Sequence, residues 1–314
     1  MVDSKQQWKA WVYLAPAIVL LLVFTVWPII NTVRMAFLEN YRGLESVGGT
    51  VFSFGFGNFV KVVQYKRFLT CLKNTVLLCV WTVPVSTLLA LLIAVALHSI
   101  KPLQKFLQTI FFLPYVTNSI AIGMVFAAMF NIVGSFYGTE NEIVVTAGII
   151  NNVIEFFGGK AVNWINTGST YQANMFVMIV YIVWNALPFK ILVLLGGLQS
   201  INKQYYDAAR VDGTPRRRVF TRITVPLLSP MLAYVIITGF IGGFKEYTSI
   251  VGIFGEKMGP PDDALRLNTM VGFIYNALED NKQGLASAAA LILFGIILVV
   301  TMINTQLTKK RVHY

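Results

Sequence analysis

Apolar residues in this sequence come in long charge-free runs that are separated by shorter polar stretches. The runs lie between residues 9 and 34, 73 and 101, 105 and 140, 160 and 190, 222 and 245, and 282 and 309. A helix needs about 20 mainly apolar residues to cross a hydrocarbon core roughly 30 Å thick, with its backbone polar groups bonded internally. The pattern therefore predicts an all-α membrane protein with about six transmembrane helices.

The predicted spans form a single membrane domain over residues 1–314. They cover approximately residues 11–33, 74–97, 106–130, 173–197, 227–252 and 285–307. Composition agrees, because 56% of the residues are hydrophobic and only 12% are charged, against about 25% charged in a soluble domain. The first run is too long for a cleaved secretory signal, so it is interpreted as a retained span.

Basic residues divide unevenly between the two sets of loops. With both termini inside, the cytoplasmic side carries Lys5, Lys9, Lys101, Lys105, Lys203, Arg210, Arg216, Arg217, Arg218, Arg222, Lys309, Lys310 and Arg311, opposed by Asp3, Asp207 and Asp212. Lysines and arginines of the outer loops are matched by an equal number of acids. Because cytoplasmic loops carry the basic excess, cytoplasmic termini are predicted. The net charge of +11 suits anionic lipids on such loops rather than nucleic acid.

The loops give further expectations. An interfacial helix over residues 58–72 should lead into the second span, and Pro102 should block helix continuation in the turn between the second and third spans. One short, non-spanning helix is expected within residues 143–157. The pair Pro260 and Pro261, followed by two acids, should end the fifth span.

The cytoplasmic loop over residues 199–226 has its own helix signals. Asn202 can cap a helix that runs through Val211, and the pair Asp212 and Gly213 can form the turn. Thr214 is expected to cap the next helix, with Pro215 in its first turn. Arg216, Arg217 and Arg218 then oppose the helix dipole. Either lipid phosphate or an acidic surface on a partner could offset them.

The same loop carries a long motif. Tyr206-Asp-Ala-Ala-Arg-Val-Asp-Gly, followed by Ile223-Thr-Val-Pro-Leu-Leu, resembles the EAA loop of binding-protein-dependent ABC importer permeases. Leu72-Lys-Asn-Thr-Val-Leu, Phe111-Phe-Leu-Pro-Tyr, Gly197-Leu-Gln-Ser-Ile and Gly259-Pro extend the resemblance over nearly the whole chain. It is closest to the carbohydrate branch, similar to the larger membrane subunit of the maltose transporter. The resemblance implies the type I ABC importer permease fold.

In that family the EAA loop is a coupling helix that docks on the ATPase subunit. The resemblance places this role on Asp207, Ala208, Ala209, Arg210, Asp212 and Gly213. Small alanines permit close approach, a carboxylate can pair with a basic group, and glycine permits a sharp turn. The family usually has glutamate at the position of Asp207, which is one methylene shorter. The alternative is a loop that is merely well capped.

Polar side chains within the predicted spans mark a possible substrate path, because charge at membrane depth is costly. Lys190 either snorkels to the interface or faces the path. The neighbours Lys245 and Glu246 point in different helical directions, and whether they contact substrate or a second permease is left open. By resemblance, Asn185, Phe189, Phe244 and Thr248 face the same cavity.

The chain contains no GxxxxGK[ST] stretch, so it is expected to bind no cofactor and to leave ATP and Mg to partner ATPase subunits. The resemblance implies a non-catalytic permease subunit for a sugar or oligosaccharide in a bacterial or archaeal plasma membrane. Its implied partners are a second permease, ATPase subunits and an extracytoplasmic solute-binding protein. The alternative is a secondary transporter or channel for a small polar solute. An intramembrane enzyme is not expected, because no predicted span carries a serine, histidine and acid set or a cluster of metal ligands.

Overall fold

The computed structural model describes residues 7–49, 51–100, 104–137 and 143–309. This part of the chain is helical apart from one hairpin of two strands. The helices are α1 (Gln7–Leu21), α2 (Trp27–Phe37), α3 (Gly43–Val47), α4 (Gly57–Gln64), α5 (Lys66–Ser99), α6 (Gln104–Val116), α7 (Ser119–Phe130), α8 (Ile149–Phe156), α9 (Tyr171–Ser200), α10 (Lys203–Val211), α11 (Arg216–Val219), α12 (Val225–Leu227), α13 (Ser229–Phe244), α14 (Thr248–Phe254), α15 (Met270–Glu279) and α16 (Gln283–Lys309). The strands are β1 (Ile132–Tyr137) and β2 (Ile143–Ala147), which pair antiparallel.

Four continuous helical segments of the described chain are long and apolar enough to cross a membrane. They are Trp8–Phe37, Lys66–Ser99, Tyr171–Ser200 and Gln283–Leu307. Two bent helix pairs also qualify, Gln108–Val116 with Ser119–Phe130 and Arg216–Leu227 with Ser229–Phe244. The predicted number of about six spans is reached if each bent pair counts as one span.

Both bends have local causes. The pair α6 and α7 meets at 104°, where Asn118 is extended and its Oδ1 accepts hydrogen bonds from the N–H groups of Ile120 and Ala121. The second pair bends by 66° at Leu228. A π-helical turn, Phe220–Thr224, comes two residues before Pro226, and another, Leu22–Val26, comes two residues before Pro28. Such turns relieve the clash between a proline ring and the preceding carbonyls.

The connecting segments differ in detail from expectation. Helix α4 ends at Gln64, and the extended Tyr65 separates it from α5, so no single helix covers residues 58–72. The expected short helix within residues 143–157 is α8, but it is preceded by strand β2. Pro102 lies outside the described residues. The fifth candidate span ends at Phe244, well before Pro260 and Pro261. The short helix α14 that follows stops at Gly255, whose φ is 68°.

The chain divides into two compact units, and the first comprises residues 1–69 and 273–295. Its core is built around Asn58, which is 1% exposed. The Asn58 amide donates to the carbonyls of Ala36 and Leu38, and its oxygen accepts the N–H of Asn40. The start of α16 closes this unit, where the Gln283 side chain accepts the N–H of Gly43.

The second unit comprises residues 70–272 and 296–314. One buried cluster centres on the first half of α9, with Met178 and Tyr181 packed against Ile250 of α14. A second cluster joins α5 to the second half of α9 through Ala94, Leu194 and Leu198. Together the two clusters hold α5, α9 and α13 around a polar cavity, with α14 packed on the first half of α9.

Candidate translocation cavity and coupling loop

A cavity of about 350 Å³ lies between α5, α6, α9 and α13 in the second unit. Its lining is a mixture of hydroxyl, amide, aromatic and charged groups. The residues are Thr82, Val83, Ser86, Tyr115, Ile182, Asn185, Ala186, Phe189, Lys190, Thr238, Gly239, Gly242, Gly243 and Glu246. Four of these, Asn185, Phe189, Lys190 and Glu246, are substrate-path residues predicted from the sequence.

Aromatic and amide groups form one wall of the cavity. The rings of Phe189 and Tyr115 are stacked, with centroids 6.1 Å apart and an angle of 19° between their planes. Asn185 donates from Nδ2 to Ser119 Oγ over 3.3 Å. Flat aromatic faces suit the rings of sugars, and amides suit their hydroxyl groups. This wall therefore has the chemistry that a neutral polar ligand needs.

Lys190 is a buried cation whose three ammonium protons can all be hydrogen-bonded within the protein. Its side chain is 4% exposed, and Nζ donates to Ser86 Oγ at 2.7 Å, Thr87 Oγ1 at 2.9 Å and the Val83 carbonyl at 3.3 Å. An ammonium group has three protons, so these three bonds saturate it. Lys190 lines the cavity and ties α9 to α5 through these bonds.

Glycines of α13 allow this close packing. A Cβ at Gly239 would lie 3.1 Å from Val83 Cγ1 and 3.2 Å from Lys190 Nζ. A Cβ at Gly243 would lie 2.8 Å from Cys79 Sγ. Neither distance is compatible with a larger residue at its site without movement of the neighbour, so both glycines hold α13 against α5.

Glu246 lies where the helix breaks. Helix α13 ends at Phe244, and α14 begins at Thr248. The Glu246 carboxylate accepts the N–H groups of Tyr247 and Ser249, both at 3.1 Å, and its carbonyl accepts the Thr269 hydroxyl at 2.7 Å. A carboxylate suits the unsatisfied N–H groups of a helix start. Glu246 therefore caps α14 while lining the cavity.

The other predicted path residues lie elsewhere. Phe244 is buried at 4% exposure and does not line the cavity. Lys245 and Thr248 are exposed on the surface of the chain. Sequence reasoning missed Thr82, Ser86 and Tyr115, although the first two stand out as hydroxyl groups within the apolar second span.

The loop over residues 199–226 contains the well-formed helix α10. Asn202 Oδ1 accepts the N–H of Gln204 at 3.0 Å, as the sequence predicts. At the other end, Gly213 has a φ of 62°, its N–H bonds to the Arg210 carbonyl, and the N–H of Thr214 bonds to the Ala209 carbonyl at 2.9 Å. This is a Schellman motif, in which a left-handed residue favours glycine.

One side of α10 anchors it to the rest of the second unit. Ala209 is 5% exposed, and the Tyr206 hydroxyl lies 3.3 Å from Thr224 Oγ1. The other predicted coupling residues, Asp207, Ala208, Arg210, Asp212 and Gly213, are exposed, and Val211 is 88% exposed. Of the predicted coupling residues, Ala209 alone is buried.

The start of α11 differs from expectation by one residue. Pro215 is the N-cap, with ψ of 145°, and Thr214 makes no side-chain cap. Pro215 keeps its fixed φ in either conformation, so its ring does not force it into the helix. Arg216, Arg217 and Arg218 are all exposed in α11.

Comparison with known protein families shows which family the chain belongs to. Residues 56–313 match the family of binding-protein-dependent transport system inner membrane components. The chain belongs to this family. The permease family suggested by the loop motif is thereby confirmed, and the importer interpretation is favoured over a secondary transporter or channel. The protein is a multi-pass membrane component.

Relatives match the permease over nearly its whole length. The arabinooligosaccharides transport system permease protein AraP of Bacillus subtilis is 29% identical over 300 residues, which cover 95% of this chain and 88% of the relative. The lactose transport system permease protein LacF of Rhizobium radiobacter is 30% identical over 297 residues, 94% of this chain and 91% of the relative. The sn-glycerol-3-phosphate transport system permease protein UgpA of Agrobacterium fabrum is 28% identical over 301 residues, which cover 96% of this chain and 94% of the relative.

A solved structure shares the fold of the permease. It is a crystal structure of a bacterial ABC transporter involved in the import of the acidic polysaccharide alginate, with a TM-score of 0.76 and 22% identity. The match covers 98% of this chain and 96% of that chain. The predicted fold of an ABC importer permease is therefore confirmed.

Proposed function

We propose that the permease forms half of the translocation path of an ATP-driven importer for a sugar or oligosaccharide, and that α10 transmits the movement of a cytoplasmic ATPase subunit. In this proposal the loop over residues 199–226 and both termini lie in the cytoplasm. The membrane is the plasma membrane of a bacterium or archaeon. The chain itself is non-catalytic, with ATP and Mg bound by the partner.

The observation that carries the coupling role is the geometry of α10. The helix is capped at both ends and anchored by Ala209 and Tyr206. It presents Asp207, Ala208 and Val211 outward. A short rigid element anchored on one side transmits a push on the other side to the helices beneath it. An exposed carboxylate beside a small residue and an apolar residue suits a groove with a basic rim.

The remaining partners follow from family membership. A binding-protein-dependent system delivers its solute from a separate binding protein, so we place that protein on the outer loops. We assign a second permease to the exposed surface that carries Lys245 and Thr248, because a charge at that position needs water or a polar partner. Membrane lipids cover the exposed apolar helices.

The cavity supports a neutral, hydroxyl-rich substrate. Its cation, Lys190, has no proton left for a ligand, while Glu246 adds a carboxylate. An anionic group would therefore find no free cation in the lining of this cavity. This argues for a neutral sugar of the kind named for AraP and LacF, rather than a phosphorylated solute of the kind named for UgpA.

The test is co-purification. The permease is expressed with the second permease and the ATPase encoded beside it, purified by a tag on the permease alone, and assayed for ATP hydrolysis. We expect an ATPase to co-purify and Asp207→Arg to reduce its recovery at least about tenfold, because a reversed charge at an interface costs more than 1.4 kcal/mol.

Glu256→Arg is the matched control, because Glu256 is an exposed acid on a different loop. Recovery with Glu256→Arg should equal that of the unmodified permease. If no ATPase co-purifies under any condition, the coupling role is wrong and a self-sufficient carrier becomes the better interpretation.

A further inference from the structure

A second cavity, of about 770 Å³, lies beside α10 on the flank away from Ala208. It is bounded by α10, by the start of α11 and by the ends of α5 and α9. Its volume falls within the range of small-molecule sites, roughly 300–1,000 Å³. Asp207, Ala209, Arg210 and Gly213 of the predicted coupling set line it, but docking of an ATPase on the outer face of α10 leaves the cavity itself without an assigned ligand.

Cations surround this cavity. Lys203, Arg210 and Arg216 line it together with His98, and the lining carries one carboxylate, Asp207. Lys203 and Arg210 stand seven residues apart on α10, so they lie on the same face of that helix. Among the ion pairs of the described residues, none involves these three cations. The cavity therefore has an excess of unpaired positive charge.

Apolar side chains also line the same cavity. Val95, Leu198 and Phe220 contribute to its lining, and Leu198 is 2% exposed. Helices α5 and α9, which are candidate membrane spans, end here at Ser99 and Ser200. The cavity thus lies where two spans leave the hydrocarbon region, with apolar groups beside cationic ones.

We propose that this cavity binds an anionic phospholipid, with the phosphate against Lys203, Arg210 and Arg216 and an acyl chain along Val95, Leu198 and Phe220. A freely soluble phosphate would satisfy the cations but leave the apolar lining wet. Basic pockets between membrane helices at the membrane surface favour anionic headgroups. A lipid here would contact the anchored flank of α10 and leave its outer face, with Ala208 and Val211, free.

The test measures lipid retention by the full-length permease alone. The protein is purified in nonionic detergent, supplied with phosphatidylglycerol or phosphatidylcholine, and analysed by native mass spectrometry. We expect retention of phosphatidylglycerol over phosphatidylcholine. The double variant Lys203→Gln/Arg216→Gln should weaken it roughly 30-fold, because each cation beside an anionic lipid is worth about fivefold in affinity.

The control variant is Arg217→Gln/Arg218→Gln. It removes the same amount of charge, here from α11, the helix that also carries Arg216, and neither residue lines the cavity. Equal losses in both double variants would show general surface charge and overturn the proposal. Since the residues changed are exposed, folding should persist; if the double variant does not fold, Lys203→Gln and Arg216→Gln singly should each lose about fivefold.

Inorganic phosphate separates the two sources of the anion. If millimolar inorganic phosphate displaces all bound phosphatidylglycerol from the unmodified protein, the site is one for free phosphate and the lipid assignment is wrong. Persistence of the lipid supports it. Because no ATPase is present, failure here leaves the coupling role of α10 untouched, and loss of ATPase co-purification leaves lipid retention untouched.

Discussion

At the scale of single residues, Lys190 shows how a buried charge can be structural. Its three bonds go to α5. The acceptors Ser86 and Thr87 also donate to carbonyls of their own helix, so both hydroxyl groups are oriented with lone pairs toward the amine. An ammonium group that is fully bonded within the protein contributes to helix packing rather than to ligand binding.

Lys190→Ala and Lys190→Met separate these roles. We expect Lys190→Ala to lower the free energy of unfolding by about 3 kcal/mol, since it leaves a void and unpaired acceptors. Lys190→Met should cost less than about 1.5 kcal/mol because it keeps the volume and removes a buried charge. Unfolding can be followed with a thiol-reactive dye, because Cys71 and Cys79 are buried. A tenfold change in the uptake KM of Lys190→Met would instead place the amine in the path.

Glu246 accepts N–H groups at the start of α14 and also lines the cavity. Glu246→Gln retains an oxygen that can cap α14, so the fold should persist, whereas Glu246→Ala should cost about 1 kcal/mol through loss of the cap. In uptake assays Glu246→Gln should raise KM for a neutral sugar about fivefold to tenfold, because a charged acceptor bonds about twice as strongly as a neutral one.

The matched control for this change is Glu256→Gln, an exposed acid away from the cavity. Its KM should stay within twofold of the unmodified permease. If Glu246→Gln transports with unchanged KM and kcat, the carboxylate serves α14 alone and the cavity assignment loses its charged group.

At the scale of elements, α7 and α14 cross at a pair of glycines. A Cβ at Gly123 would lie 2.7 Å from Gly252 Cα, and a Cβ at Gly252 would lie 3.1 Å from Gly123 Cα. Two backbones this close leave no room for even a methyl group. The crossing fixes the short helix α14 and, through it, the position of Glu246.

Gly123→Ala should therefore destabilise the permease by about 1–3 kcal/mol through overpacking, measured by the same dye-monitored unfolding. Gly196→Ala is the control, since Gly196 lies within α9 with nothing within 4 Å of its added Cβ, and there alanine should be neutral or stabilising by up to about 1 kcal/mol. Equal unfolding temperatures for the two variants would contradict the close crossing.

The proposed coupling loop offers a second element to test. Gly213 has open space around its Cβ position, so a substitution there changes only the backbone preference. Gly213→Val should lower ATPase co-purification about tenfold, because a β-branched residue resists the left-handed conformation. Because asparagine tolerates the left-handed conformation, Gly213→Asn should retain most of the ATPase co-purification. Equal recovery from both variants would show that the turn is not needed for docking.

The sequence predicted this loop closely because its signals are local. Asn202 and Gly213 act on neighbouring N–H groups and carbonyls, so their roles follow from residue type and spacing. The bends at Asn118 and Leu228 were not predicted, because an apolar run defines a length and not a direction. The β-hairpin and α15 were missed for a related reason, since short segments in outer loops show neither a long apolar run nor a clear period.

The cavity was predicted only in part. Asn185, Phe189, Lys190 and Glu246 were found because polar or aromatic groups inside apolar runs are conspicuous. Phe244, Lys245 and Thr248 were placed with them, but Phe244 is buried at the end of α13 outside the cavity, and Lys245 and Thr248 follow the break in the helix and are exposed. Tertiary packing determines such details, and helical periodicity in the sequence does not predict the break between α13 and α14.

At the scale of the whole molecule, the uneven distribution of lysine and arginine predicts which side of the membrane each loop occupies. Because Cys71 and Cys79 are buried, a new surface cysteine can be labelled with little background. In intact cells or spheroplasts a membrane-impermeant maleimide should label Lys257→Cys on an outer loop but label Arg217→Cys only after permeabilisation; both side chains are exposed. The opposite pattern would invert the topology, place α10 outside the cell, and remove the coupling role together with the assignment of the termini. The expected pattern would put the basic loop, the proposed ATPase-facing side of α10 and the cationic cavity on one membrane surface. An anionic lipid and the ATPase subunit could then both contact α10, on different sides of the same short helix.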